Sequence, residues 1–365
     1  MLSQVGLDDI TPIAIGAGIL GTGGGGNPYL GSLHLRQLIK EYGPQTIINP
    51  YDLADDAKVV IVGGIGAPTV SIEKLSEGTE MLRAIRLLEK HLREQFDAIV
   101  IAEIGGSNSM NPMIAGLQAG IPTIDSDSMG RAFPEIQMSS FLFNDDVRVA
   151  PFAMTDARGT NVVVPQTTSD KWAERIARNL VVSMGARGAL ADTVMTGAQV
   201  KEYGIHYTLT LAHALGRQVM QSQKDGDDVP QVIANMLEGR LLLRGKIVDV
   251  ERRTTKGFAR GTVTINSHSG SDQLKIELQN EFLIAYMNGE AIVTVPDLIC
   301  IVTEETGEPV TTELLRYGTR VAVMGVPAPE KLKTVQALDV VGPKAFGYDE
   351  VFKPLPGGVI GKELF

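Results

Sequence analysis

Residues 103–135, EIGGSNSMNPMIAGLQAGIPTIDSDSMGRAFPE, hold four carboxylates (Glu103, Asp125, Asp127, Glu135), one cation (Arg131) and no Lys or His. Carboxylates in unlike surroundings are suited to general acid–base work, one releasing a proton while the other accepts it. The D-x-D pair Asp125/Asp127 is also a ligand set for a divalent cation with water, although that spacing is common. A plainer reading has Asp125 and Glu135 capping helices and Arg131 neutralising them. Glycine turns and strand ends, rather than the outer face of a helix, carry these charges, which favours a site.

The strand ends follow from hydrophobic patterning. Lys58–Gly63 (KVVIVG) and Asp97–Glu103 (DAIVIAE) are short β-branched runs closed by glycines, as in strands buried on both faces of a parallel sheet. Ile121–Asp125 (IPTID) is the third strand. Between them, Leu75, Met81 or Leu82, Ile85, Leu88 and Leu92 recur at helical spacing over Ile72–Gln95, and Pro112–Ala119 is a short helix with proline in its first turn. Strand, helix, strand, helix, strand makes two right-handed crossovers over a parallel sheet. Neighbouring strands lie about 5 Å apart, so Glu103 and Asp125 share the crevice outside the strand ends, with Asp127 and Arg131 above it.

At 365 residues the chain exceeds the size at which one core stops growing, so two domains are expected. Residues 1–165 read as an α/β domain with a mostly parallel sheet that carries the site, and 166–244 as a helical connecting region. Residues 245–354 read as a β-rich domain of short strands and 355–365 as a loose tail, for a two-domain α+β chain overall. A net charge of −10 without a basic run argues against nucleic acid and anionic membrane as partners. One cysteine, Cys300, excludes an internal disulfide and a cysteine zinc cluster, and no signal peptide or membrane span is legible, so a cytoplasmic protein is expected. A homo-oligomer is the default for such a protein.

The run Gly21–Gly26 (GTGGGG) matches G-x-G-x-x-G, but a helix from Leu7 to Leu20 precedes it instead of a strand, and no Gly-Lys-Ser/Thr follows. No nucleotide cofactor is expected. Gly23, Gly24, Gly25 and Asn27 still precede a helix over about 29–40, where exposed amides suit an anion, or form a flexible turn. The histidines show no metal motif; His206 and His213, seven apart, are weak candidates for ligands or a base. Cys300 in PDLICIVT reads as a buried thiol. Asp156, Arg158 and Gly159 (TDARGT) form a polar turn, either a second loop over the crevice or a salt-bridged turn.

LGTGGGGNPY, EIGGSNS, IPTIDSDSMGRAFPE, TDARGT and the LGR at 215–217 follow one another as in the S-methyl thiohydantoin desulfurase family, which this chain resembles from about Leu7 to Pro354. The resemblance implies an α/β domain followed by a β-rich one. It also implies hydrolytic removal of sulfur from a thiohydantoin-type cyclic ureide, beside a hydantoinase-type enzyme. On that reading Asp125 or Asp127 activates water or holds a metal (zinc or manganese) that does, with His206 and His213 as further metal candidates. Glu103 is the partner acid, Asn108 bonds the ring amide, Arg131 orients an acidic arm, and Glu135 supports Arg131. Asp156 and Arg158 border the substrate, and the glycine-loop amides stabilise charge on the ring. The family pattern has small or hydroxyl residues where His206, Tyr207 and His213 stand in IHYTLTLAHALGR, which points to a different substrate or an added local feature. Two further classes fit the same residues: a metal-dependent amidohydrolase-like enzyme acting on hydantoins, and a non-catalytic hydantoinase-associated subunit that binds a metabolite.

Overall fold

A computed structural model describes residues 1–66, 70, 76–255 and 258–363. The chain begins with β1 (Gln4–Val5), α1 (Ile10–Leu20), α2 (Pro28–Tyr42), β2 (Gln45–Ile48) and β3 (Lys58–Gly66). There follow α3 (Glu80–Leu92), β4 (Ala98–Val100), α4 (Asn111–Ala119), β5 (Thr123–Ile124) and β6 (Ser126–Asp127). The expected helical turn at 72–75 lies outside the described residues. After β7 (Phe152–Thr155) and β8 (Asn161–Val164), α5 (Asp170–Ser183) leads into β9 (Arg187–Thr196), α6 (Gly197–Tyr203) and β10 (Ile205–His206).

One eight-stranded sheet runs β1-β2-β5-β4-β3-β9-β7-β8. Its β2, β5, β4 and β3 are parallel, and β9 pairs antiparallel with β3. The three strands read from the sequence are thus neighbours with aligned carboxyl ends. On α3 the apolar stripe Ala84, Ile85 and Leu88 is buried against Val60, Val62 and Ile99 of the sheet. Each such aliphatic side chain removed from water contributes roughly 1.5–3 kcal/mol before entropy.

The stretch 166–244 differs from a purely helical connector. It holds α7 (Thr208–Asp225) and α8 (Val229–Met236) besides α5 and α6, yet β9 inserts between β3 and β7 of the first sheet. RGALADTVMT has little strand propensity of its own; pairing on both sides imposes the conformation. Gly16 on α1 and Gly216 on α7 let these two helices touch. A Cβ on Gly16 would fall 1.9 Å from the Ala212 carbonyl oxygen, and one on Gly216 1.9 Å from that of Pro12.

The second sheet is antiparallel, and its first strand begins at Arg240, five residues before the first strand expected from the patterning. Its strands are β11 (Arg240–Thr255), β12 (Phe258–Ser267), β13 (Gln273–Gln279), β14 (Glu281–Met287), β15 (Glu290–Thr294), β16 (Leu298–Thr303) and β17 (Arg320–Val326). They order as β15-β14-β13-β12-β11-β17-β16, and α9 (Val335–Val341) follows. Leu274, Ile276 and Leu278 of β13 alternate into the core, as a one-sided sheet requires. A single apolar cluster crosses the domain junction, joining Ile13 and Leu20 of α1 to Leu215 of α7, Leu283 of β14, Cys300 of β16 and Met324 of β17.

The tail is anchored rather than loose. The Leu355 amide donates to Asp297 Oδ2 at 2.7 Å, the Gly358 amide to Glu238 Oε2 at 2.8 Å, and Val359 and Ile360 are buried in the shared cluster. Among the described residues no helix is long and apolar enough to cross a membrane.

Candidate active site

Beyond β4 the chain runs through Glu103, turns at Gly105 and Gly106, and enters α4 at Asn111. Glu103 is buried; its Oε1 accepts from Asn108 Nδ2 and its Oε2 from the Phe133 amide at 2.9 Å. Burial pushes this carboxyl up to about 7, against the pull of those two donors and of Arg131. Asn108 Oδ1 accepts in turn from Asn111 Nδ2 at 3.1 Å. Asn111 lines a cavity of about 60 Å³ with Gly64 at the end of β3, Ala157 after β7, Arg187 and Gly188 at the start of β9, and Glu80. A chain of hydrogen bonds therefore links a buried acid of near-neutral pKa to a small crevice at the carboxyl ends of the strands. Such a volume holds on the order of four waters, enough for one small ring and too little for a nucleotide.

Asp125 has no exposed surface. Its Oδ1 accepts from the amides of Leu209 at 3.0 Å and Thr210 at 3.2 Å, and its Oδ2 from the Thr210 hydroxyl. These donors open α7, so this carboxylate serves as the side-chain cap of a helix distant in sequence. Burial pushes its pKa up, and the Thr210 contacts oppose the rise. Asp127 gathers the amides of Ile104 at 2.9 Å, Gly130 at 2.8 Å and Met129 at 3.3 Å on Oδ2. The Thr208 hydroxyl stands close enough to favour its charge, yet among the described residues no donor bonds Oδ1, and burial pushes the carboxyl to about 7.

Arg131 is wholly buried and spends its guanidinium on protein acceptors. Nε donates to the Ala132 carbonyl at 3.1 Å, Nη1 to the Pro296 and Asp297 carbonyls at 3.1 and 3.0 Å, and Nη2 to Thr22 Oγ1 and the Phe282 carbonyl at 2.8 and 3.0 Å. Those contacts occupy the five N–H donors of an arginine and fasten the first domain to β14 and the entry of β16. Glu135 bonds Gln137 and stands near Glu174 of α5.

The glycine run also belongs to the domain junction. The Gly23 carbonyl accepts from the Thr312 amide at 2.9 Å, and a Cβ on Gly25 would lie 2.3 Å from the Gly105 carbonyl. Asn27 Oδ1 caps α2 by accepting from the Tyr29 amide at 2.9 Å. Beneath the run lies Glu281, a residue that the sequence reading missed. It is buried, a Cβ on Gly24 would come within 2.2 Å of its Oε1, and its Oε2 has no partner among the described residues. Burial and then the Glu103 charge hold its pKa well above the usual carboxylate range. The available signal was an acid heading the otherwise apolar strand EFLIAYM.

His206 Nδ1 pairs with Ser126 Oγ at 3.0 Å and its Nε2 with the Lys201 carbonyl at 2.9 Å; burial pushes the imidazole down to about 4 and keeps it neutral. His213 Nε2 meets Asp9 Oδ1 at 2.9 Å, outside the crevice. Among the described residues no three His, Cys, Asp or Glu side chains are placed to hold a metal ion, so the candidates Asp125, Asp127, His206 and His213 do not form one ligand set. Asp156 Oδ1 closes its own turn, accepting from the amides of Arg158 at 2.9 Å and Thr160 at 2.8 Å, and that turn borders the cavity through Ala157.

The model of the S-Me-THD-like N-terminal domain matches residues 8–166, and that of the S-Me-THD-like C-terminal domain matches residues 168–355. The chain belongs to the S-Me-THD-like family. A crystal structure of a protein from Chromobacterium violaceum shares the fold of this family member, with a TM-score of 0.81 over 96% of this chain and 99% of that one. At 20% identity, that likeness speaks for the fold alone. No curated protein matches this family member.

Proposed function

We propose that this protein hydrolyses the carbon–sulfur bond of a thiohydantoin-type cyclic ureide. One observation carries the reading: Glu103, a buried carboxyl with a pKa of about 7, is linked through Asn108 and Asn111 to a ring-sized cavity at the strand ends. A carboxyl of that pKa can take and return a proton at neutral pH. In an S-methyl substrate the reacting carbon bears sulfur and is doubly bonded to a ring nitrogen. Water bound beside Asn108 loses a proton to Glu103 and forms the new C–O bond. The proton left on the new hydroxyl passes to the ring nitrogen as the carbonyl forms, the C–S bond breaks, and Glu103 returns its proton to the departing sulfur. One water is consumed, methanethiol leaves, and a hydantoin carbonyl and N–H remain, a product for a hydantoinase-type enzyme to open.

In this reading Asp125 and Arg131 hold the scaffold, and Asp127 fixes the loop that presents Glu103 and Phe133. The test is thiol release from a panel of S-alkylated and free thiohydantoins by the wild type and Glu103→Gln. We expect release by the wild type and a loss of at least about 100-fold in kcat/KM in the variant. A folded wild type that liberates no thiol from any member, or a Glu103→Gln protein of unchanged rate, refutes the proposal.

A further inference from the structure

We propose that Asn111 reads the ring edge, its carboxamide selecting cyclic ureides and lactams by pairing with an adjacent ring N–H and C=O. The inference rests on the thiohydantoin reading for its chemistry but concerns recognition alone. An ionised Glu103 can only accept, so Asn108 must turn Nδ2 toward it and Oδ1 away. Asn111 must then offer Nδ2 to that Oδ1, at 3.1 Å. The acid thereby orients both amides. One hydrogen of Asn111 Nδ2 is used; among the described residues its side chain makes no other hydrogen bond, and it lines the cavity half-buried.

A carboxamide with a free N–H and a free oxygen makes two antiparallel hydrogen bonds with a secondary amide only when that amide is cis. Ring closure in a five-membered ureide enforces the cis form, whereas an open-chain secondary amide stays trans by about 2.5–4 kcal/mol. The site therefore distinguishes ring from chain as well as N–H from N-methyl. Gly64 lines the same cavity beside the amide: a Cβ there would sit 3.7 Å from Asn111 Nδ2 and take up part of the cavity.

Titration calorimetry of the full chain with hydantoin, 1,3-dimethylhydantoin and open-chain N,N′-dimethylurea tests this. Wild type should bind hydantoin about ten-fold more tightly than the others, which is about 1.4 kcal/mol. Asn111→Ala should bring all of them within about two-fold of one another. Gly64→Ala should weaken hydantoin about five-fold or more while keeping the ranking, since it fills the cavity and spares the amide. Discrimination that survives in Asn111→Ala, or hydantoin binding that ignores Gly64→Ala, overturns the inference. Should Asn111→Ala not fold, Gly64→Ala still decides, because its new methyl meets only ordinary contact. Thiol release with unaltered ring discrimination in Asn111→Ala defeats this inference and leaves the reaction standing. Ring-selective binding that needs Asn111, without thiol release, does the reverse.

Discussion

Replacing Glu103 with Gln should flatten the pH dependence of folding stability as well as slow turnover. Burial carries this carboxyl from 4.5 to about 7 in the folded protein, while the unfolded chain keeps the ordinary value. The native state thus binds the proton more tightly than the unfolded state. Its stabilising effect is complete below about pH 4.5 and is lost as pH rises through 7. The difference, 7 − 4.5 = 2.5, at about 1.4 kcal/mol per pH unit, makes the wild type about 3 kcal/mol less stable at pH 8.5 than at pH 4.5 on account of this group. Asp127 and Asp192, each also pushed to about 7 by burial, act in the same direction in both proteins and cancel in the comparison. The variant's single carboxamide oxygen can serve only one of the donors at Asn108 and Phe133. It should therefore be the less stable protein at pH 4.5 and lose less on going to pH 8.5. Urea unfolding followed by circular dichroism at the two pH values, with equal slopes, measures the difference. Equal losses in the two proteins would show that Glu103 is ionised throughout, and the acid–base argument would go with it.

Arg131→Met should cost about 3–5 kcal/mol, because it strands the carbonyls of Pro296, Asp297 and Phe282 at the domain junction and leaves Glu281 without its cation. Lys should rescue little of this, having three donors for five positions; a Lys variant with wild-type urea midpoint would contradict the stapling role. Asp125→Ala should lower stability by about 1–2 kcal/mol as the cap of α7 is lost. An unchanged melting temperature with abolished turnover would instead return Asp125 to the chemistry.

Local pattern was enough for much of the fold. The β-branched runs of β3 and β4, the stripe of α3, the proline that opens α4 and the alternation in the second sheet each declare themselves within a few residues, because burial on one or two faces imposes period and composition directly. From those came the adjacency of the three strand ends and the two-domain order. The bland alternative for Asp125, a helix cap, was also legible as a residue type, although its helix begins only at Thr208.

What tertiary structure alone decided is the use of each charge. Asp125 reaches α7, Arg131 reaches β14 and β16, and Glu281 arrives under the glycine run from the other domain. A hydrogen bond depends on where two groups meet in space and leaves no periodic trace in the chain. Strand β9 shows the same limit: its alanines and Asp192 carry weak propensity, and its conformation is set by partners on both sides. Sequence periodicity could mark which residues leave water; only the folded chain fixed which buried acids are spent on capping and which one, Glu103, is connected to the cavity.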